Sequence, residues 1–307
     1  MTEPAPHPIN TRPGLPLATV ADTLGPLTEL SGTWIGTGFN LVSLPDSDPN
    51  PPSTGPQPFR IRLSSTIEIL EFTPIGGAVP NRGSTNQPDI EIFGLRYLQR
   101  IADSVTNEAL HIEPGFWLNV PATKVPAGSA TVVRQGSIPH GTSVLALGNV
   151  IPPVPGGPVI GPAFGAGGAT PSTPVKNPPA PPALDAAFLA PFNNPALPPG
   201  FKPTFVGDLN LALREAILGQ DITQTVVLPI STAAPAAGPA TQVGGTVNMP
   251  FDIANADATR LDAIFWIETV QQPDGSTFLQ LQYTQTVILH FLGIDWPHIS
   301  VATLTLQ

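Results

Sequence analysis

Between Thr33 and Gln307 about ten segments show the two-residue alternation of apolar and β-branched side chains expected of strands, and one segment has helical spacing. That helix is expected over Asp208–Gly219, with Asp208 at its start, Leu209, Leu213, Ala216 and Ile217 on one face, and Gly219 at its end. Strands and helices do not alternate along the chain. A parallel sheet needs such crossovers, so the pattern favours an antiparallel sheet closed on itself. The expected fold is all-β: an antiparallel barrel of about ten strands, with proline-rich insertions and one short helix.

The strand candidates are Thr33–Leu44, Phe59–Phe72, Ile90–Asp103, Ala109–Pro121, Ala130–Ile138 and Thr142–Val150. They continue in TQTVVLPIST, QVGGTVNMPF, ATRLDAIFWIETVQ, STFLQLQYTQTVILHF and HISVATLTLQ. A hairpin turn is expected at Gln272–Ser276 (QPDGS), and a short helical turn at Pro26–Leu30. Residues 1–26 read as an N-terminal arm, and residues 27–307 as a single barrel domain. Two stretches interrupt it. Residues 45–58 are a loop by composition, and residues 151–205 form a proline- and glycine-rich insertion too poor in large apolar residues to make a core alone. The insertion is expected to pack over the barrel.

The chain holds 41 prolines and 29 glycines among 307 residues, yet its apolar share of 41% is that of a folded protein. With no cysteine there are no disulfides, thiolate metal sites or cysteine nucleophiles. Twelve Lys and Arg against a net charge of −10 leave no basic stripe for nucleic acid. The first residues, MTEPAPHPINTRPG, lack the pattern of a secretory signal, and no run of about 20 apolar residues is present to span a bilayer. A soluble cytoplasmic protein without nucleic-acid or membrane partners is the expectation, and the acidic surface and apolar loops permit a homodimer.

Five histidines are present: His7, His111, His140, His290 and His298. His298 opens the final strand segment, WPHISVATL, and shares a face with Ser300 and Ala302, opposite Ile299, Val301 and Thr303. In a barrel that face of small residues points inward, where an imidazole can hold a haem iron or another metal. A histidine hydrogen-bonded in a core or rim is the alternative. In LHIEPGFW, His111 and Glu113 share a face, so Glu113 can orient the imidazole. An ion-paired rim is equally open there. His7 and His140 are expected in exposed segments, and His290 as a buried neutral side chain. Glu68 and Glu71, like Asp89 and Glu91, read as solvated strand faces. HExxH, GxSxG and a glycine-rich phosphate loop are absent.

Three stretches resemble one family. Leu30–Gly38 (LSGTWIGTG) is similar to the LxGTWxGxG opening strand of nitrobindin-like haem-binding barrels, which are lipocalin-like. Leu110–Trp117 (LHIEPGFW) is similar to their H-x-E-x-G-aromatic-W segment, and His298 lies on the last strand, where the family carries its proximal histidine. The resemblance implies haem b as cofactor, with His298 as the metal ligand. It implies that Trp34, Phe39, Leu110, His111 and Trp117 join His298 around the cofactor, with Trp34 closing the barrel base, Glu113, Gly115 and Trp117 supporting the wall, and His111 as the candidate catalytic group. The chain departs from the family in its two insertions, in Pro114 and Leu118, and in lacking a counterpart of the distal threonine segment within FNLVSLPD.

The function expected on this basis is binding of, or reaction with, small ligands such as nitric oxide, peroxynitrite or peroxide at a histidine-ligated ferric haem. Peroxynitrite isomerase or peroxidase-like activity follows from the resemblance. The alternative is a cofactor-free carrier of an apolar small molecule, suggested by the low charge content and by Phe39, Phe116, Trp117, Trp266 and Trp296. A third reading takes KNPPAPPALDAAF and NPALPPG as polyproline II ligands.

Overall fold

A computed structural model describes residues 22–46, 59–177, 184, 186–233 and 244–307. The N-terminal arm through residue 21 with His7, most of the 45–58 loop, and the proline run at 178–183 lie outside the described residues.

Ten long strands form the barrel. They are β1 (Gly32–Pro45), β2 (Phe59–Pro74), β3 (Ile90–Asp103), β4 (Ala109–Val120), β5 (Thr131–Ile138), β6 (Thr142–Asn149), β7 (Asp221–Ser231), β8 (Asp257–Gln271), β9 (Thr277–Phe291) and β10 (Ile294–Leu306). Each pairs antiparallel with its neighbour in sequence, and β10 pairs with β1. The ring closes between β6 and β7 at a bridge from Leu147 to Ser231. Beside that seam the short strand Gly245–Asn248 adds to β6. Closure removes the exposed sheet edges that would otherwise invite aggregation. The sequence puts a full strand in QVGGTVNMPF. The structure instead gives this short strand and then a helix, because Pro250 sits at the helix's first turn and lacks the N–H that a continuing ladder needs.

Short α-helices decorate the barrel, among them α1 (Ala186–Asn193), α2 (Asn210–Ala216) and α3 (Pro250–Asn255). The helix read from Asp208 to Gly219 is the shorter α2. Asp208 acts at its start, its Oδ1 accepting the Asn210 N–H at 3.1 Å. The 272–276 turn joins β8 to β9, and Gly275 takes a φ of +87° there, a left-handed conformation that glycine adopts without strain. Among the described residues no helix is long and apolar enough to cross a membrane.

The barrel has a filled end and an open end. At the filled end Trp34, Leu70, Phe72, Leu95, Trp117, Phe265 and Leu304 form one buried cluster. A 3-10 helix at Gly25–Leu30 caps it with Leu27 and Leu30, and the Trp34 Nε1–H donates to Leu30 O at 2.8 Å. Strand β1 lies very close to β10. A Cβ on Gly36 would sit 2.1 Å from Thr303 O, and one on Gly38 2.1 Å from Val301 O.

The insertion between β6 and β7 covers the outer wall. Phe201, Phe205, Val206, Leu209 and Leu213 pack on the outward side chains Leu41, Trp266, Ile299 and Val301. Burying each large apolar side chain in this way contributes about 1.5–3 kcal/mol. These residues give the outer face of a barrel wall a second core.

Candidate functional site

At the open end lies a cavity of about 350 Å³. Its upper wall is mainly apolar, formed by Val42, Leu44, Ile101, Leu110, Ile138, Val144, Leu261, Val287 and Leu289. Deeper down, one transverse row of the barrel is polar. Ser64, Asn40, Ser300 and Gln285 face each other across adjacent strands in the order β2, β1, β10, β9. All four line the cavity, as do Gln99 and Tyr283. Below this row Gly38 and Ala302 are partners across β1 and β10, and their small size leaves room above the packed end.

His298, His111 and His140 all line this cavity. His298 comes from the inward face of β10 with Ser300, while Ile299 and Val301 join the outer cluster. Burial pushes its imidazole down to about 4, and the nearby His111 and His140 act in the same direction, so the ring is neutral at neutral pH. The rings of His111 and His140 are 6.0 Å apart. Burial, and then His111, also lowers His140, whereas Asp252 on α3 pulls it upward. Simple alternation would place Leu110 and His111 on opposite faces. The β3–β4 register shifts here: Ile101 faces His111 but Ala102 faces Ala109. This bulge lets both side chains reach the cavity.

Behind His111 lies a buried ionic cluster. Glu113 Oε2 is 3.3 Å from His111 Nε2, and Glu113 Oε1 accepts from Arg134 Nη2 at 2.8 Å. Tyr97 also donates to Glu113, and Arg134 Nε donates to the Tyr97 hydroxyl at 3.1 Å. Arg134 Nη1 donates to Gln285 Oε1 at 2.6 Å, which joins the cluster to the polar row. Burial alone would raise the Glu113 carboxyl, but Arg134, together with His111 and Tyr97, brings it down to about 2. Arg134 also lies over the rings of Tyr97, Trp117 and Phe265 at 5.4, 5.9 and 5.6 Å.

A second buried carboxyl, Glu68, lies under the cavity. It accepts from the Tyr283 hydroxyl at 2.5 Å and from Thr66 Oγ1 at 3.0 Å. Gln99 Nε2 donates to the same Tyr283 oxygen at 3.1 Å. Glu68 has no salt-bridge partner among the described residues, and burial pushes it up to about 7 against these hydrogen bonds.

The structure thus brings Leu110, His111 and His298 to one cavity and leaves Trp34, Phe39 and Trp117 outside its lining. Trp34 and Trp117 lie in the packed end. Phe39 is an odd-numbered residue of β1, so it points out of the barrel and packs edge-on against Phe201, with centroids 5.3 Å apart. His290, expected to be buried and neutral, is one-third exposed and pairs with Asp295, Nδ1 to Oδ1 at 2.8 Å. Glu68, read from sequence as solvated, is fully buried. It shares the inward face of β2 with Leu70 and Phe72. Arg134, Tyr283 and the polar row were not singled out from sequence. Arg134 carried a signal, a charged residue in register with inward Val132 in an apolar strand.

Among the described residues no group of three or more His, Asp or Glu side chains is arranged to hold a metal ion. Two buried oxygens at the cavity, Asn40 Oδ1 and Asp252 Oδ2, have no hydrogen-bond partner among the described residues.

No protein-family model matches the chain. No curated protein matches it either. Among solved structures it is similar to the crystal structure of Rv2717c from M. tuberculosis, with 15% sequence identity, 95% of this chain and 98% of that chain covered, and a TM-score of 0.42. The chain is a closed antiparallel barrel with a cavity of a size suited to a small molecule.

Proposed function

We propose that the open end of the barrel binds a b-type haem, whose iron His298 would hold. The observation that carries this reading is His298 itself. It is a neutral imidazole on the inner wall of a largely apolar cavity, and its ring nitrogens have no hydrogen-bond partner among the described residues. A neutral imidazole with a ring nitrogen free to face the cavity is the form that ligates iron. The apolar upper wall suits a flat macrocycle and keeps water away from the ligand. The residues present therefore fit the group by donor chemistry.

Such a haem would supply an iron able to bind nitric oxide, peroxynitrite or peroxide. The chain's own contribution is proton handling and exclusion of water. His111 faces the same cavity, and Glu113, held ionised by Arg134, fixes the orientation of its ring. In this reading His111 is the group that holds or gives up a proton beside the bound ligand, through the ring nitrogen that Glu113 does not hold. Either a ligand-binding role or a peroxidase- or isomerase-like one uses the same arrangement.

A second reading, a cofactor-free carrier of an apolar small molecule, is favoured by one observation: apolar walls stand above a polar row, the arrangement that holds a molecule with one polar end. The test is an absorption spectrum of the purified protein before and after adding hemin. A sharp Soret band that shifts with cyanide or nitric oxide supports the haem reading. A broad free-hemin absorbance, with uptake of a fluorescent fatty acid, replaces it with the carrier.

A further inference from the structure

Glu68 and Tyr283 make a contact that the haem reading does not use. Glu68 is fully buried within the barrel and has no salt-bridge partner among the described residues. Such a group is costly to keep, and a protein retains one where its proton has work to do. The Tyr283 hydroxyl connects it to the cavity, because Tyr283 both lines the cavity and bonds Glu68.

The phenol oxygen has one hydrogen and two lone pairs. Gln99 Nε2 occupies one lone pair. When Glu68 is ionised, Tyr283 donates its hydrogen to the carboxylate, and its remaining lone pair faces the cavity. When Glu68 is protonated, its O–H donates to that lone pair, and the tyrosine hydrogen turns to the cavity instead. We propose that Glu68 and Tyr283 form a one-proton relay that sets whether the cavity floor offers a hydrogen-bond donor or an acceptor, and so which polar end of a ligand is held there. Towards a basic ligand the same pair transfers a proton. Glu68 gives its proton to the Tyr283 oxygen as Tyr283 gives its own to the ligand's lone pair, so one proton leaves Glu68, one reaches the ligand, and the phenol is unchanged.

The charged and titratable groups around this cavity are Arg62 on β2, Tyr97 on β3, His111 and Glu113 on β4, Arg134 on β5, His140 between β5 and β6, Asp252 on α3, Tyr283 on β9 and His298 on β10. Of these, His111 acts directly on Glu68 and favours its ionised form. Arg134 is tied to Glu113 and acts on Tyr283. Burial dominates over all of them at Glu68, which places its titration near neutrality.

The relay uses only the chain's own side chains, so the test needs no haem. The probe is 2-decanone, an apolar ketone that only accepts hydrogen bonds. Its affinity for the full chain is measured by calorimetry from about pH 5.5 to about pH 8.5, with infrared difference spectra over the same range. The expected result is a loss of affinity of about fivefold as pH rises, the worth of one net hydrogen bond. Glu68→Gln should bind equally at every pH, and Tyr283→Phe should bind weakly at every pH. In the Glu268→Gln background a protonated-carboxyl band should disappear near neutrality when Glu68 is present and be missing when Glu68→Gln is added. Glu268, the other carboxyl that burial raises to about 7, gives its own band, so Glu268→Gln serves as the background. The proposal is overturned if, in the Glu268→Gln background, Glu68→Gln keeps the pH profile or the titrating band, or if the ketone fails to bind at any pH.

Discussion

Arg134 and Glu113 form an ion pair inside the barrel, 2.8 Å apart with both side chains almost completely buried. His111, Tyr97 and Gln285 each contact a member of this pair. Removing one partner leaves an uncompensated charge in the interior. Arg134→Met is expected to lose about 3–5 kcal/mol of stability in urea denaturation, and an Arg134→Met/Glu113→Gln double variant to recover part of it. Equal losses for the single and double variants would show that the pair is not energetically coupled.

Glu68 gives the protein a pH dependence of definite sign. Its ordinary value is 4.5, and burial raises it to about 7 in the fold. Between these values the folded state holds a proton that the unfolded state has lost, so stability falls as pH rises through this window. Glu68→Gln should therefore be more stable than the parent by about 2–3 kcal/mol near pH 8, and similar to it near pH 4.5. Glu268 adds to the same trend and remains in the variant. Thermal melts at the two pH values decide the matter. A variant less stable than its parent at the higher pH would contradict the sign.

His298 works in the opposite sense. Its ordinary value of 6.5 falls to about 4 in the fold, so the stability it contributes is present above 6.5 and is lost as pH falls through about 4. His298→Ala should fold, because the side chain lines a cavity. On the haem reading it should lose the Soret band that the parent forms with hemin. His111→Ala should keep that band and change the pH dependence of peroxide reaction. A His298→Ala protein that binds hemin as the parent does would remove the ligand assignment.

The GTWIGTG opening has a steric reason. Gly36 and Gly38 sit where β1 approaches the carbonyls of Thr303 and Val301 on β10. Gly36→Val should cost about 1–3 kcal/mol or more through forced separation of the two strands. Native-state hydrogen exchange should show early loss of protection at the β1–β10 seam. Undiminished protection there would mean that the seam relaxes at no cost.

Phe205 belongs to the insertion and packs against the outer wall rather than the cavity. Phe205→Ala should destabilise the chain by about 3–5 kcal/mol in denaturant without altering hemin or ketone binding at saturating stability. A change in binding with no loss of stability would place the insertion in the site instead.

The strands were legible in the sequence because alternation along a strand is a local property. Ile90–Asp103 stands as read from sequence, and most other strand ends shift by one or two residues. HISVATL placed His298 and Ser300 on one face and Ile299 and Val301 on the other, and the barrel keeps that division. What alternation does not state is which face is inside. On β1 the large apolar Phe39 points outward and the polar Asn40 inward, because the insertion supplies an apolar cover for the outer wall. The same ambiguity hid Glu68, whose acidic side chain read as a solvated face until its partners across the barrel were known.

By itself the sequence determined the period of each element, the turns and the pair His111–Glu113, all of which depend on residues close along the chain. Only the tertiary structure decided the contacts of Glu68 with Tyr283 and of Arg134 with Glu113 and Gln285, and the meeting of His111, His140 and His298 at one cavity. These partners lie on different strands, and their distances are set by barrel closure, by the register between strands and by the bulge at Leu110. None of those has a signature in any single segment.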